Sequence, residues 1–65
     1  MCEANAYLKT AEGKEELLME GVSILRSEKQ GIYLQSLFGE QKVVKAHIRE
    51  MHLSDHRIIL EEDFN

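Results

Sequence analysis

Sixty-five residues with eight Lys and Arg against twelve Asp and Glu, a net charge of -4 and a pI near 5.3 describe one small acidic domain over residues 1–65. A chain this short buries only about 60% of its unfolded surface, so a disulfide, a metal or a second chain is the usual reinforcement. The only cysteine, Cys2, excludes an intrachain disulfide and leaves a metal, a homodimer or both as the expectation.

In chain order, Cys2, Ala4, Ala6 and Leu8 alternate with Glu3, Asn5, Tyr7 and Lys9, a period of two that predicts a strand over residues 2–9 with one apolar face. Thr10 to Lys14 supplies a turn. Leu17 and Met19 are then expected to share a face, followed beyond Gly21 by Val22 and Ile24. Lys29-Gln30-Gly31 predicts a tight hairpin turn in which the glycine takes up a positive φ. Residues 32–38, β-branched and aromatic, form the clearest strand, which Gly39-Glu40 ends.

Val44, Ala46 and Ile48 alternate as a further strand until the pattern slips near Glu50, where a bulge would turn Met51 and Leu53 to the core. Ser54-Asp55 makes the last turn, Arg57 to Leu60 a closing strand, and Glu61-Glu62-Asp63 an acidic tail. Gly13, Gly21, Gly31 and Gly39 recur at intervals of eight to ten residues, as expected of short strands separated by turns. Two stretches also fit helices, since Leu18, Val22 and Leu25, and again Val44, Ile48 and Met51, lie at helical spacing. Gly21 inside the first would cost about 1 kcal/mol relative to alanine, which favours an all-β chain.

The charge balance argues against a nucleic-acid surface, which normally needs a clustered basic face, whereas Lys9, Lys14, Lys29, Lys42 and Lys45 are scattered among acids. No apolar run approaches the roughly 20 residues that span a bilayer, and the start lacks the basic region and apolar core of a signal peptide. The expected location is cytoplasmic, where the thiol of Cys2 stays reduced.

A thiolate at position 2 has an unusual option. The Met1 nitrogen, the Cys2 amide nitrogen and the Cys2 sulfur can close two fused five-membered chelate rings around one cation, and nickel(II) or copper(II) favours such a planar nitrogen and sulfur field over the tetrahedral site zinc prefers. Were Met1 removed, the amine would move to Cys2 and one ring would remain. Two such ends, one from each subunit of a dimer, would complete four donors. The bland alternative is a small apolar residue opening a strand, which is the commoner state of a lone cysteine. Position beside the terminus narrows that preference without reversing it.

The histidines carry less. His52 and His56 have metal-ligand spacing only on a helix, and Ser54-Asp55 between them predicts a turn; His47, between Ala46 and Ile48, is expected to point outward from a strand. No glycine-rich phosphate loop, nucleophile elbow or lysine dyad is present, so an enzyme is not expected.

Met1-Cys2-Glu3-Ala4-Asn5-Ala6-Tyr7-Leu8 followed by Gly13-Lys14-Glu15-Glu16-Leu17-Leu18-Met19-Glu20 resembles the CooT family of nickel-binding proteins, and the likeness continues through residues 31–34, 37–39 and 56–60. Its most specific element is the Met-Cys start joined to Tyr7-Leu8. The resemblance implies a homodimer of small SH3-like (Sm-like) barrels, each of five to six short antiparallel strands, that binds nickel(II) through Cys2 and serves as a nickel chaperone or store. The founding member is linked to nickel insertion into carbon monoxide dehydrogenase, so a nickel enzyme or its maturation factors are the implied partners, without a specific client. The resemblance assigns no histidine to the metal. Members have also been described as RNA-binding because of the Sm-like barrel, so the alternative is an RNA- or protein-binding module in which Tyr7, Tyr33 and Phe38 would offer stacking surfaces.

Overall fold

The period-two alternation becomes six strands in the computed structural model, which describes residues 3–63. They are β1 (Ala4–Lys9), β2 (Glu15–Glu28), β3 (Gly31–Ser36), β4 (Gln41–Val44), β5 (Ala46–His52) and β6 (Arg57–Glu62). No helix forms among the described residues, so neither stretch with helical spacing is helical, and no helix is long and apolar enough to cross a membrane.

One sheet contains all six strands in the order β4-β3-β2-β1-β6-β5. Four of its pairings are antiparallel, as expected, while β1 and β6 run parallel, with Ala6 opposite Ile58 and Leu8 opposite Leu60. The cause lies at Lys45. This single residue links β4 to β5, too short a connection for a hairpin, so β5 continues in the direction of β4 and the β5–β6 turn sends β6 back parallel to β1. Because β4 and β5 are opposite edges of the sheet yet adjacent in the chain, the sheet must curl until its edges meet at Lys45. No ladder joins those edges, so the sheet is curled but not closed into the barrel that the resemblance implies, although β3 and β5 come close to each other.

Bulges explain where the period of two misleads. Ala6 pairs with Met19 but Tyr7 pairs with Leu17, so one step on β1 faces two on β2 and Leu18 is the extra residue. Leu17 and Met19 therefore lie on opposite faces: Met19 is 3% exposed and Leu17 is 52% exposed. A second irregularity sets Val22 opposite Ser36 and Ile24 opposite Gln35, which buries Val22 and leaves Ile24 exposed. The core-packed residues of β2 are then Leu18, Met19, Val22 and Leu25, whose spacing imitates a helix because each bulge inserts one residue into a strand.

The bulge expected near Glu50 is present, since Ile48 pairs with Leu60 and Glu50 with Ile59. Its expected consequence is not: Met51 is exposed and Leu53 is 75% exposed. Met51 does lie opposite Ile58, but on an edge strand with nothing beyond it, and Leu53 belongs to the turn. The closing strand and the turns at residues 10–14, 29–31 and 53–56 fall where the sequence predicts them, while the strand from Ile32 stops at Ser36 and leaves Leu37 and Phe38 in a turn.

The core is Ala6, Met19, Val22, Ile32, Leu34, Ala46, Ile58 and Leu60, with Ala4, Leu8, Leu18, Leu25, Val44 and Ile48 packed around it. Beside the Lys45 link the backbones of β3 and β4 come close: at Gly31, with φ +141°, a Cβ would strike the carbonyl oxygen of Val44.

Candidate functional site at the start of the first strand

Met1 and Cys2, the candidate metal ligands, lie outside the described residues, and the described chain begins at Glu3, immediately before β1. What surrounds that entry point is well defined. The backbone N–H of Asn5 donates to the carbonyl oxygen of His56 at 2.9 Å, which ties the start of β1 to the β5–β6 turn. On the other side Asn5 Oδ1 accepts from the backbone N–H of Gly21 at 3.3 Å, and the N–H of Leu37 donates to the Gly21 carbonyl at 2.8 Å.

A cleft of about 280 Å³ opens at this end of the sheet, lined by Glu3, Ala4, His52, Leu53, His56, Arg57 and Ile58. Most of the surface it exposes is apolar, although Glu3, His52, His56 and Arg57 are among its lining residues. His52 and His56 thus reach the border of one cleft from the two ends of a turn, although neither is helical. His56 has φ +56°, a left-handed conformation that histidine tolerates better than most residues and that the tight turn requires. His52 Nε2 lies 2.7 Å from Glu50 Oε1, and this hydrogen bond holds the Glu50 carboxyl below its usual range. The sequence does not announce that His56 lies beside β1, because the parallel β1–β6 pairing that brings it there follows from the Lys45 link.

Exposed apolar side chains flank the same end. Leu53 borders the cleft, and Phe38, 88% exposed, lies against Gly21 on the opposite side of β1, where a Cβ on the glycine would be 3.8 Å from the phenyl ring. Of the three aromatic residues considered for base stacking, Tyr7 has the Arg57 guanidinium over its ring at 4.8 Å and Tyr33 has that of Arg26 at 4.5 Å. Cation–π pairing already uses those rings. Phe38 is the exposed member of the set.

His47 does point outward and sits in a separate cluster. Its Nδ1 lies 2.6 Å from Asp63 Oδ1 and its Nε2 lies 3.2 Å from Glu61 Oε1, which also meets Arg49 through its other oxygen. The hydrogen bond to Asp63 is the main cause that raises the His47 pKa above its ordinary value. With each ring nitrogen engaged by a different carboxylate, His47 is not arranged as a ligand. Among the described residues no group of three or more His, Cys, Asp or Glu is placed to hold a metal ion.

Residues 1–61 match the family of the CO dehydrogenase accessory protein CooT. The chain belongs to the CooT family. A crystal structure of a protein assigned as CooT from Carboxydothermus hydrogenoformans is similar to it, with 43% identity and a TM-score of 0.88, over 97% of this chain and all of that one. Among curated proteins none matches. The family carries the name of an accessory protein of CO dehydrogenase, which accords with the expectation of a non-catalytic role.

Proposed function

We propose that this CooT-family chain is a cytoplasmic nickel carrier: a homodimer that holds one nickel(II) ion between two N-termini, with the Cys2 thiolates as sulfur donors and nitrogens at or near Met1 completing the field. Nickel is the cargo, and its destination is a nickel enzyme under maturation. The observation that carries the reading is the family match over residues 1–61, which includes the Met1-Cys2 start, to an accessory protein of CO dehydrogenase. Chelate chemistry supports it independently, since a cysteine in second place is where amine, amide and thiolate can close on one ion.

The geometry around the start of β1 is compatible with exchange of cargo. His52 and His56 border the cleft beside Glu3 and Ala4. Leu53 and Phe38 offer exposed apolar surface on either side of the same entry point, the type of surface that marks a contact between subunits. A site shared by two chains releases its ion when the interface opens slightly, which suits delivery better than a closed structural centre does.

Native mass spectrometry of the protein titrated with nickel(II) tests this directly. One ion per dimer, with a thiolate-to-nickel absorption band that is lost in Cys2→Ser, is the expected result. An apo monomer that takes one ion per chain would refute the shared site, and full stoichiometric binding by Cys2→Ser would refute Cys2 as the ligand.

A further inference from the structure

Among the described residues Phe38 is the most exposed large apolar side chain, at 88%, yet the turn that carries it is firmly held. Ser36, itself buried, accepts the backbone N–H groups of Phe38 and Glu40 on its Oγ, each at 3.1 Å. The Ser36 backbone accepts from the N–H of Gly39 and donates to the Glu40 carbonyl, while the N–H of Leu37 donates to Gly21 at 2.8 Å. An aromatic ring offered to solvent on a turn already ordered has the form of an association anchor. Its ring gains apolar burial on contact, and its backbone has little freedom left to lose.

The apolar cleft of about 280 Å³ beside Leu53 and Ile58 lies across β1 from this turn. It has room for a phenyl ring, since a cavity of about 150 Å³ accommodates benzene. Charge is complementary as well. Exposed Glu20 and Glu40 stand next to Gly21 and Phe38 on the ring side, whereas His52, His56 and Arg57 stand around the cleft with Glu3 as its one carboxylate. Ring and cleft sit on either side of β1, so they do not meet within one chain. Two copies related by a twofold axis can join both at once, because each ring then meets the partner's cleft.

We propose that Phe38 anchors the contact between two copies of this chain by entering the cleft beside Leu53 of the second copy, the exchange being reciprocal. The inference rests on the homodimer reading above and states which surfaces make it. An axis midway between ring and cleft passes beside β1, so the two β1 starts, at Glu3 and Ala4, come side by side.

Sedimentation velocity across a dilution series, with and without nickel(II), tests the contact. Phe38→Asp and Leu53→Asp should each keep the urea midpoint of the parent, because both side chains are exposed; should the first shift it, Phe38→Ala takes its place. Either variant alone breaks the contact twice per dimer, and its dimer dissociation constant should rise about a hundredfold or more. Mixed in equal amounts, the two variants retain one intact contact, the Phe38 ring of the Leu53→Asp chain in the cleft of the Phe38→Asp chain. The heterodimer should therefore lose only the square root of that factor, roughly tenfold, because the two contacts are independent.

A dimer indifferent to either substitution, or a mixture that dissociates as readily as each variant alone, would overturn the ring-in-cleft contact and leave the nickel reading standing. Contact between the two rings, or a different protein on this surface, would give those results. A parent that stays monomeric with and without nickel(II) would overturn the homodimer reading and this inference together.

Discussion

Asp63 Oδ1 lies 2.6 Å from His47 Nδ1, and so fastens the end of β6 to the start of β5 beside the backbone bond from Asp63 N–H to the Lys45 carbonyl at 3.0 Å. Because Asp63 and Glu61 stabilise the imidazolium, the folded His47 pKa is raised. A raised folded pKa means that the contribution is complete below the ordinary histidine value and is lost as pH rises through the higher folded value. Parent and His47→Ala should therefore differ in urea midpoint at about pH 5 and converge by about pH 9. The gap should shrink in high salt, as the cluster is exposed. A gap that widens with pH would assign the cluster a different role.

The bulge at Leu18 makes a sharp contrast between two residues that a regular strand would treat alike. Met19→Ala should destabilise by about 2–5 kcal/mol, the range for emptying a buried site. Leu17→Ala, at a half-exposed position opposite Tyr7, should cost below about 1 kcal/mol. Equal losses in urea denaturation would mean that both side chains face the core and that the bulge is absent.

Gly31 and Gly13 separate steric from conformational cost. Both have positive φ, at +141° and +86°, but a Cβ on Gly31 would strike the Val44 carbonyl whereas one on Gly13 meets nothing. Gly13→Ala should lose about 1–2 kcal/mol from the left-handed backbone alone. Gly31→Ala should lose clearly more, and with it the meeting of the sheet edges at Lys45, seen as broadened amide resonances in β4 and β5. Equal destabilisation by the two variants would deny the close approach.

Leu60 is fully buried where β6 packs between β1 and β5, opposite Leu8 on one side and Ile48 on the other. Leu60→Ala should cost about 2–5 kcal/mol. In a chain whose total stability is of the order of 5 kcal/mol this approaches unfolding at room temperature, and calorimetry should show a melting transition lowered by tens of degrees or lost. A shift of only a few degrees would place the core elsewhere.

Much of the architecture is legible locally. Alternation in residues 4–9 and the glycine at position 31 are decided within a few residues, because a strand needs one apolar face and a two-residue hairpin needs a residue tolerant of positive φ. Leu17, Ile24, Met51 and Leu53 are misread for one reason. Each adjoins a bulge, lies on an uncovered edge or sits in a turn, and those conditions depend on the partner strand rather than on neighbours in sequence.

The residues by themselves pointed to the all-β class and to most of the turns, and they single out Met1 and Cys2 as a candidate ligand pair, since composition, spacing and proximity to the terminus are properties of a linear chain. Only the tertiary structure decided what stands around the start of β1. The single-residue link at Lys45 forces β6 parallel to β1, and this brings His56 and Leu53 to the start of β1, while the β2 bulge presents Gly21 to Asn5. Chain direction and strand register are collective properties of the curled sheet, set by how its edges meet.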